Sequence, residues 1–234
     1  MRSIQTKFIY ISIPKTGSVS IKKTFQLFRG QLINGTSASQ KTALQAKKIF
    51  SDEEWTEYFK FTVVRNPWER IWSNFCMRVQ RLETFLDPHR REQFFNKTQK
   101  SMRAEGKPED HFLDWRIQTE RNMENIAGFF DNWGSYEAAF KKIVYDHEPQ
   151  SDYYTDEYGS VILDYLMDFD SFEKDFSYVC GKLNIDAQSK LRHDNDFNYN
   201  SLGLDYYKFY TQELIDMVSA KDHQTIKIKN YTFK

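Results

Sequence analysis

A lysine and three hydroxyl side chains follow a short apolar run near the beginning of the chain. The run is FIYISI (residues 8–13), the loop PKTGSVS (14–20) comes next, and the helical pattern IKKTFQLF follows it. A loop between a strand and a helix exposes backbone N–H groups at the helix N-terminus, where they bind anions together with the helix dipole. Gly17 allows the backbone to approach such a ligand closely. We therefore predict a phosphate-binding loop; the alternative is an ordinary strand–turn–helix with a solvated lysine.

The residues of this loop indicate which anion it binds. Thr16, Ser18 and Ser20 supply hydroxyl donors, the backbone N–H of Val19 is a further donor, and Lys15 adds a mobile positive charge. The lysine precedes the glycine, and the triphosphate-loop pattern GxxxxGK[ST] occurs nowhere in the chain. Kinase chemistry also needs magnesium ligands near the loop, and no carboxylate at a predicted strand end is convincing for that role. A two-phosphate or phosphosulfate group fits this shorter loop better.

A second polar motif follows the next predicted strand, in the stretch FTVVRNPWERIWSNF (61–75). Arg65 comes at the end of that strand, and Pro67 suits the first position of a helix. Ser73 points about 200° away from the apolar stripe of this helix, so it and Arg65 both face the crevice at the carboxyl ends of the strands. A guanidinium and a hydroxyl together suit a second phosphate, bound by charge-assisted hydrogen bonds.

The two motifs together resemble the donor site of sulfotransferases. PKTGSVS resembles their 5′-phosphosulfate loop, and RNPWERIWS resembles their 3′-phosphate motif, in which Arg, Pro, Arg and Ser have a fixed spacing. In this chain the second arginine is Arg70, which is either a ligand or a structural residue. Three more stretches are similar to membrane-associated carbohydrate sulfotransferases: the His-x-Pro-Gln segment at 146–154, the strand and "FE" helix at 162–185, and the C-terminal helix and Tyr-x-Phe ending at 206–233.

This resemblance implies a fold and a reaction. The fold is α/β and P-loop-like, with three layers, a central parallel sheet flanked by helices, and a helical insertion. The implied reaction moves a sulfuryl group from 3′-phosphoadenosine-5′-phosphosulfate (PAPS) to a hydroxyl, on a carbohydrate or glycolipid, by in-line displacement without a metal. Lys15 would stabilise the leaving oxygen, and Arg192 and Ser201 would contact the donor. Val19 stands where the family often has Thr, so one hydroxyl contact is missing. A small-metabolite kinase and a non-catalytic nucleotide-binding module are the alternatives.

The catalytic base has several candidates. His147 is the first, because it lies in the His-x-Pro-Gln segment and its reference pKa suits proton transfer. His111 lies in the insertion between two aspartates, from which it could reach over the site. Glu54 and Glu57, which precede the second strand, are carboxylate alternatives. For each of these residues a structural or surface role is the competing interpretation.

Alternating strands and helices must position these motifs. Apolar runs at 8–13 and 61–64 are typical of buried parallel strands, each followed by a helix, at 18–28 and about 68–82. We also predict a strand at 161–169, a helix capped by Ser171, a helix over 205–220, and a tail that is a closing strand or an irregular segment. The chain is predicted to form one domain over 1–234, with a helical insertion at about 83–130, broken near 105–108, as an acceptor lid.

The composition of the chain bears on its binding partners, its metal sites and its location. The 33 basic and 33 acidic residues cancel, which argues against a general nucleic-acid or membrane-surface binder. Cys76 and Cys180 are either buried thiols or a disulfide, and no Cys/His cluster has metal-ligand spacing. No stretch has the roughly 18 apolar residues of a membrane span and no signal peptide precedes the first strand, so we expect a cytoplasmic protein of a microbe or virus. The cations of the insertion form either a mixed-charge helical surface or a groove for an anionic sugar.

Overall fold

A parallel sheet forms the centre of the fold in the computed structural model, which describes residues 8–26, 41–185 and 202–233. Within these residues the strands are β1 (Phe8–Ile11), β2 (Phe59–Val64) and β3 (Tyr165–Asp168), in the order β1-β2-β3. Both pairs are parallel. The predicted α/β fold, a parallel sheet flanked by helices, is therefore confirmed. Parallel strands end at the same edge of a sheet, so the segments after all three strands come together there.

The helices follow the predicted alternation with the strands. The described α-helices are α1 (Ser18–Gln26), α2 (Ala43–Lys47), α3 (Asp52–Glu57), α4 (Pro67–Leu86), α5 (Pro88–Ala104), α6 (Glu109–Trp133), α7 (Tyr136–Asp146), α8 (Phe172–Leu183), α9 (Tyr206–Phe209), α10 (Gln212–Lys221) and α11 (His223–Lys229). Short 3₁₀ helices cover Gln150–Tyr153 and Phe169–Ser171. The predicted break near residues 105–108 separates α5 from α6.

Side chains of the sheet alternate between two apolar layers, which explains why the strands are continuous apolar runs. On one face, Phe8 and Tyr10 pack with residues of α1 and α8. On the other face, Ile9 and Ile11 pack with Trp55 of α3 and with residues of α2 and of the Gln150–Tyr153 helix. The sheet is thus covered on both sides, as the three-layer prediction requires.

Three local predictions differ from the structure. The helix expected over 205–220 is interrupted at Tyr210, whose backbone is extended and whose ring packs 4.9 Å from that of Phe140. The tail is helical up to Lys229, where α11 ends, instead of forming a strand. From Asn230, which has a left-handed backbone, it is irregular, as the second alternative expected. Ser171 precedes α8, but its side chain makes no capping hydrogen bond. In each case packing or a neighbouring turn overrides the local pattern.

The strand predicted at 161–169 is also shorter than expected. β3 begins only at Tyr165. Val161 pairs instead with Thr155 in an isolated antiparallel bridge, and residues between the two form a turn. The four residues of β3 are those that face β2, with Phe61 opposite Tyr165 and Val64 opposite Asp168. β2 begins two residues before Phe61, at Phe59, so the start of β3 is not limited by the length of β2.

The described chain divides into two compact units. The first contains residues up to Ile71, those from His147 to 185, and those from Gln212 onward, and it includes the sheet. The second contains Trp72–Asp146 and the described residues from 202 to Thr211. An aromatic cluster fills the second unit, in which the ring of Phe75 lies 5.2 Å from that of Phe140. The prediction of one domain with an insertion at about 83–130 stays a prediction. Cys76 and Cys180 are both buried thiols.

Candidate active site

The loop between β1 and α1 has an unusual backbone at two residues. Lys15 has a φ of 67° and Gly17 a φ of 77°, both in the left-handed region. A lysine in this region costs about 1–3 kcal/mol, and such strain occurs most often at functional sites. The carbonyl of Gly17 accepts hydrogen bonds from the N–H groups of Ser20 (3.0 Å) and Ile21 (3.4 Å), so α1 begins directly after the glycine. The N–H groups of its first turn therefore point out of the helix N-terminus, where anions bind.

Gly17 is packed closely against two aromatic rings. A Cβ atom at this position would lie 3.1 Å from a ring carbon of Phe169 and 3.1 Å from one of Phe172. Either ring would have to move, and the positive φ disfavours an L side chain as well. Both phenylalanines follow β3. The segment after β3 therefore presses against the loop and fixes its shape.

The three hydroxyl-bearing residues of the loop differ in their exposure to solvent. Thr16 is fully buried, and its Oγ1 donates to the carbonyl of Ile13 at 2.9 Å. Ser20 is also buried, whereas Ser18 is half-buried and Val19 is 38% exposed. The solvent-facing surface of the loop consists of backbone, the lysine, Ser18 and Val19. Thr16 stabilises the loop instead of lining its surface.

Arg65 follows β2 directly and is held on several sides. Its Nη1 donates to the carbonyl of Lys15 at 3.4 Å, and its Nη2 lies 3.5 Å from Oε2 of Glu69. Its guanidinium carbon lies 4.3 Å from the centre of the Phe169 ring, an attractive cation–π arrangement. The side chain is 12% exposed, and its buried Nε has no hydrogen-bond partner among the described residues. The two predicted motifs are thus in direct contact.

The other polar residues of the second motif lie within α4. Ser73 is in the second turn of this helix and is buried. Arg70 is also buried, and its Nη2 donates to the carbonyl of Glu148, a contact that favours the structural alternative for this arginine. Arg192 and Ser201, the other predicted donor contacts, lie outside the described residues.

The HEPQ segment (residues 147–150) binds the backbone of Arg65 through Gln150. The Arg65 N–H donates to Oε1 of Gln150 at 2.9 Å, and Nε2 of Gln150 donates to the Arg65 carbonyl at 2.8 Å. Gln150 is fully buried, and its own N–H donates to Oδ1 of Asp222 at 2.9 Å. Oδ2 of the same carboxylate lies 3.0 Å from Nε2 of His147. One line of hydrogen bonds therefore joins Arg65, Gln150, Asp222 and His147.

His147 is mostly enclosed by this network. Its side chain is 5% exposed and that of Asp222 is 0% exposed. A carboxylate in contact with an imidazole fixes the orientation of the ring and stabilises the imidazolium that forms when the ring accepts a proton. The arrangement is compatible with a base at His147, and it also serves to hold the HEPQ segment in place.

Acidic side chains lie close to the 3₁₀ helix that follows His147. Burial, followed by the charges of Glu148 and Asp222, raises the pKa of Asp152. Tyr153 donates to Oε2 of Glu148 at 2.7 Å, and burial together with this hydrogen bond raises the pKa of Tyr153. Tyr153 therefore remains protonated near neutral pH and is a hydrogen-bond donor, not a base.

The other predicted bases are carried by helices α3 and α6. Glu54 and Glu57 are in α3, before the start of β2, whereas Arg65 follows its end; six residues of strand, about 20 Å, separate the two ends. Oε2 of Glu54 accepts a hydrogen bond from the Ser51 N–H at 3.0 Å, and Ser51 Oγ accepts one from the Glu54 N–H at 3.1 Å. This reciprocal pair is a capping box. His111 is exposed in the first turn of α6, within the second compact unit.

Asp168 is a carboxylate at a strand end that the sequence analysis did not single out. It ends β3 opposite Val64, at the same sheet edge as the loop. Its Oδ1 accepts hydrogen bonds from the Tyr231 hydroxyl (2.6 Å) and from the Asp170 N–H (2.9 Å). Burial and this carboxylate raise the pKa of Tyr231, which therefore stays a donor. Asp168 is thus used to join the C-terminal segment to the end of β3.

Gln150, Asp222 and Phe169 were missed as site residues as well. Gln150 stands in the His-x-Pro-Gln segment, so the motif was visible in the sequence although its contact was not. Phe169 follows a recognisable strand, but nothing in the sequence indicates that its ring contacts Gly17. Asp222 has no local signal at all, because its two partners lie more than 70 positions earlier in the chain.

Four of the eight lysines and arginines between residues 83 and 130 form ion pairs with acids. The pairs are Arg90 with Glu83 and Asp87, Arg103 with Glu109, Lys107 with Glu105, and Arg116 with Glu92 and Glu120. This pairing favours the mixed-charge helical surface over a groove for an anionic sugar. Trp55, Trp68 and Trp72 are buried in the core, whereas Trp133 is exposed.

The described residues lack two features that would point to other functions. They contain no group of three or more His, Cys, Asp or Glu side chains placed to hold a metal ion. Within the same part of the chain, none of the helices combines the length and the apolar character needed to cross a membrane.

Comparison with known proteins identifies the family. A family model described as "Sulfotransferase family" matches residues 1–225, almost the whole chain. Neither a search of curated proteins nor a search of solved structures found a significant match. The matched region includes both motifs, the HEPQ segment and most of the C-terminal helices. The chain therefore belongs to the sulfotransferase family and is an enzyme that transfers a sulfuryl group.

Proposed function

We propose that this enzyme transfers the sulfuryl group of PAPS to a hydroxyl of a saccharide by in-line displacement. The observation that carries the proposal is the contact between the two motifs, in which Arg65 Nη1 donates to the Lys15 carbonyl at 3.4 Å. This contact places the N-terminus of α1, which can bind an anion, and the guanidinium of Arg65 at the same edge of the sheet. A ligand with a phosphosulfate at one end and a phosphate at the other fits this pair of features.

The 5′ end of the donor is assigned to the loop. The N–H groups of Gly17, Ser18 and Val19 and the Ser18 hydroxyl are positioned at the N-terminus of α1, where a phosphate is favoured. The ammonium group of Lys15 would then stabilise the negative charge that develops on the oxygen leaving sulfur. Thr16 and Ser20 support the loop from inside, since both are buried.

The 3′-phosphate is assigned to Arg65; Ser73, Arg192 and Ser201 stay candidate donor contacts on the family resemblance alone. Arg65 brings a planar fork suited to phosphate oxygens, and its Nε has no other partner among the residues described. Contacts to Phe169 and Glu69 hold the guanidinium in one orientation before the ligand arrives. Such preorganisation lowers the entropic cost of binding.

His147 is assigned as the base. The acceptor oxygen would form a bond to sulfur while the bond from sulfur to the 5′-phosphate oxygen breaks, and the hydroxyl proton would move to the imidazole. Asp222 would stabilise the resulting imidazolium. We prefer His147 to Glu54 and Glu57, because these two precede β2 and Glu54 is occupied in a capping box. The saccharide acceptor rests on the resemblance to carbohydrate sulfotransferases.

Calorimetric titration tests the donor assignment. Adenosine 3′,5′-bisphosphate (PAP), the product left by PAPS, should bind more tightly than ADP, because only PAP has a phosphate for Arg65. An arginine–phosphate interaction of this kind contributes about 1.5–3 kcal/mol, so the preference should be at least about tenfold. Equal binding of the two nucleotides, or a preference for ADP, would contradict the two-phosphate site.

The kcat and KM for PAPS distinguish the roles of the two motifs. Lys15→Ala should lower kcat by about a hundredfold or more, as expected for loss of charge stabilisation in the transition state. Arg65→Ala should mainly raise the KM for PAPS. Lys174, an exposed lysine in α8, gives the matched control Lys174→Ala, which should behave like the wild type. An acceptor panel read by mass spectrometry identifies the sulfated hydroxyl. Normal turnover in both site variants would overturn the assignment.

His147→Gln distinguishes a base from a structural histidine. Loss of a general base lowers kcat by about 10²–10⁴-fold but leaves PAP binding nearly unchanged. Loss of a structural contact lowers the melting temperature and weakens PAP binding, with a smaller change in kcat. Variant His111→Gln is the control, because His111 is exposed in α6. If His147→Gln retained kcat, the base would have to be sought elsewhere.

A further inference from the structure

Arg65 follows β2 directly and lies beyond the last residues that pair with the described strands β1 and β3. The last register pair of β2 and β3 joins Val64 to Asp168. Beyond it, both backbone groups of Arg65 bond to the side-chain amide of Gln150, at 2.9 Å and 2.8 Å. The amide thus takes the place of a neighbouring strand. It holds the N–H and the carbonyl of one residue at the same time and so restrains the direction in which the Arg65 side chain leaves the backbone.

We propose that Gln150 is a positioning residue for the donor site, and that Asp222 holds it in place. Gln150 is fully buried and 85 positions from Arg65 in the chain. Its amide orientation is set by its partners, because the N–H of Arg65 requires the oxygen and the carbonyl of Arg65 requires the nitrogen. The Asp222 carboxylate accepts from the Gln150 N–H at 2.9 Å and fixes the segment on the opposite side.

The alternative is that Gln150 only stabilises the fold. Two observations favour a specific role at the donor site. Gln150 contacts the backbone of the residue whose guanidinium also donates to the Lys15 carbonyl, so a shift of Arg65 is transmitted to the loop. The neighbouring Asn66 is held separately, since its Nδ2 donates to the Thr232 carbonyl at 2.9 Å. Loss of Gln150 would therefore free the backbone of Arg65 while the next residue remains anchored.

An isosteric variant tests this inference, which rests on the proposed donor site. In Gln150→Glu the ionised carboxylate can still accept the hydrogen bond from the Arg65 N–H. Its second oxygen replaces the amide nitrogen, however, and therefore repels the carbonyl oxygen of Arg65 instead of donating to it. Protonation restores a donor at that oxygen. We expect PAP to bind about tenfold to a hundredfold more weakly than to the wild type at pH 8, and the ratio of the two dissociation constants to approach one as the pH falls toward 5.

Two further variants serve as controls. Gln150→Met has a similar length and no hydrogen-bonding group, so its defect should equal or exceed that of Gln150→Glu and should not recover at low pH. Ser151→Ala changes the adjacent residue, which is also buried and has no hydrogen bond to Arg65, and it should bind PAP normally. With PAPS, the Gln150 variants should raise the KM for the donor more than they lower kcat.

Several outcomes would overturn the inference. Gln150→Glu binding PAP as the wild type does, or a defect with the same size at every pH, would mean that Gln150 does not position Arg65. If the variants do not fold, hydrogen exchange of the Arg65 amide in the wild type decides: slow exchange is expected, and fast exchange would contradict the contact. If the wild type itself fails to bind PAP, the proposed donor site is wrong. If the wild type binds PAP and the Gln150 variants bind it equally well, only the role of Gln150 is wrong.

Discussion

Individual residues of the candidate donor site act mainly through the backbone. Lys15 and Gly17 both have positive φ angles, and the buried Thr16 donates to the Ile13 carbonyl. This inward hydroxyl leaves Ser18 and the N–H groups of the helix start as the neutral donors on the surface of the loop. Val19, which is exposed at the second position of α1, offers no hydroxyl. The composition of the loop therefore sets how many donors a phosphate can meet.

Val19→Thr should strengthen donor binding. The substitution keeps the β-branched shape and adds a hydroxyl at the N-terminus of α1, where a hydrogen bond to a charged phosphate contributes about 1 kcal/mol or more. We expect PAP to bind about threefold to tenfold more tightly in calorimetry. Val161→Thr is the matched control, because Val161 is similarly exposed and lies outside the loop. Unchanged or weaker binding in Val19→Thr would place the 5′-phosphate elsewhere.

Gly17→Ala should destabilise the loop more than its backbone angle alone requires. An L residue with positive φ costs about 1–2 kcal/mol, and the new Cβ would also contact the rings of Phe169 and Phe172. We expect a loss of about 2–4 kcal/mol in the free energy of unfolding, measured by urea denaturation, together with weaker PAP binding. Gly159→Ala shares a similar φ but has nothing within 4 Å of its Cβ. Equal losses in both variants would show that the phenylalanine contacts do not matter.

Among the secondary-structure elements, the ends of helices and strands carry most of the specific contacts. The β3 end contacts the loop through Phe169, the β2 end contacts the HEPQ segment through Arg65, and the turn between α10 and α11 supplies Asp222. Helix α3, which carries Glu54 and Glu57, precedes β2 and is stabilised by its own capping box.

Glu54→Gln should leave both stability and turnover unchanged. A glutamine at this position of a capping box accepts the same hydrogen bond from the Ser51 N–H. Glu54→Ala should lower the free energy of unfolding by about 0.3–1.5 kcal/mol, since that hydrogen bond is lost. Thermal unfolding and PAPS turnover measure the two effects. A loss of turnover by a hundredfold in Glu54→Gln would identify Glu54 as the base and would contradict the role assigned to His147.

For the molecule as a whole, binding of a nucleotide across two strand ends should stabilise the folded state. A ligand at a concentration one hundred times its dissociation constant adds about 2.7 kcal/mol. In a chain of this length that corresponds to a rise in Tm of about 5–10 °C. PAP should therefore raise the Tm of the wild type by this amount, as read by scanning calorimetry. ADP at the same concentration should do less, and Arg65→Ala should reduce the PAP effect; equal shifts with both nucleotides would argue against a 3′-phosphate site.

Local sequence was sufficient for the parts of the site that depend on neighbouring residues. The continuous apolar runs indicated two buried strands, and the loop and Pro67 indicated where the following helices begin, because strand burial and helix starts are set within a few residues. The family resemblance rested on the same local stretches. Predictions about longer patterns were less accurate, as shown by the helix that is interrupted at Tyr210 and by the tail that forms α11.

Only the tertiary structure decided which distant groups meet. The contact of Gln150 with Arg65 joins residues 85 positions apart, and that of Asp222 with His147 joins residues 75 apart. Such contacts depend on the path of the whole chain around the sheet, which no local pattern encodes. Thr16 shows the same limit at short range, since its burial follows from the packing of its surroundings. By itself, the sequence determined the sheet edge and the chemistry of its two motifs; the fold determined how Arg65 of the second motif is held.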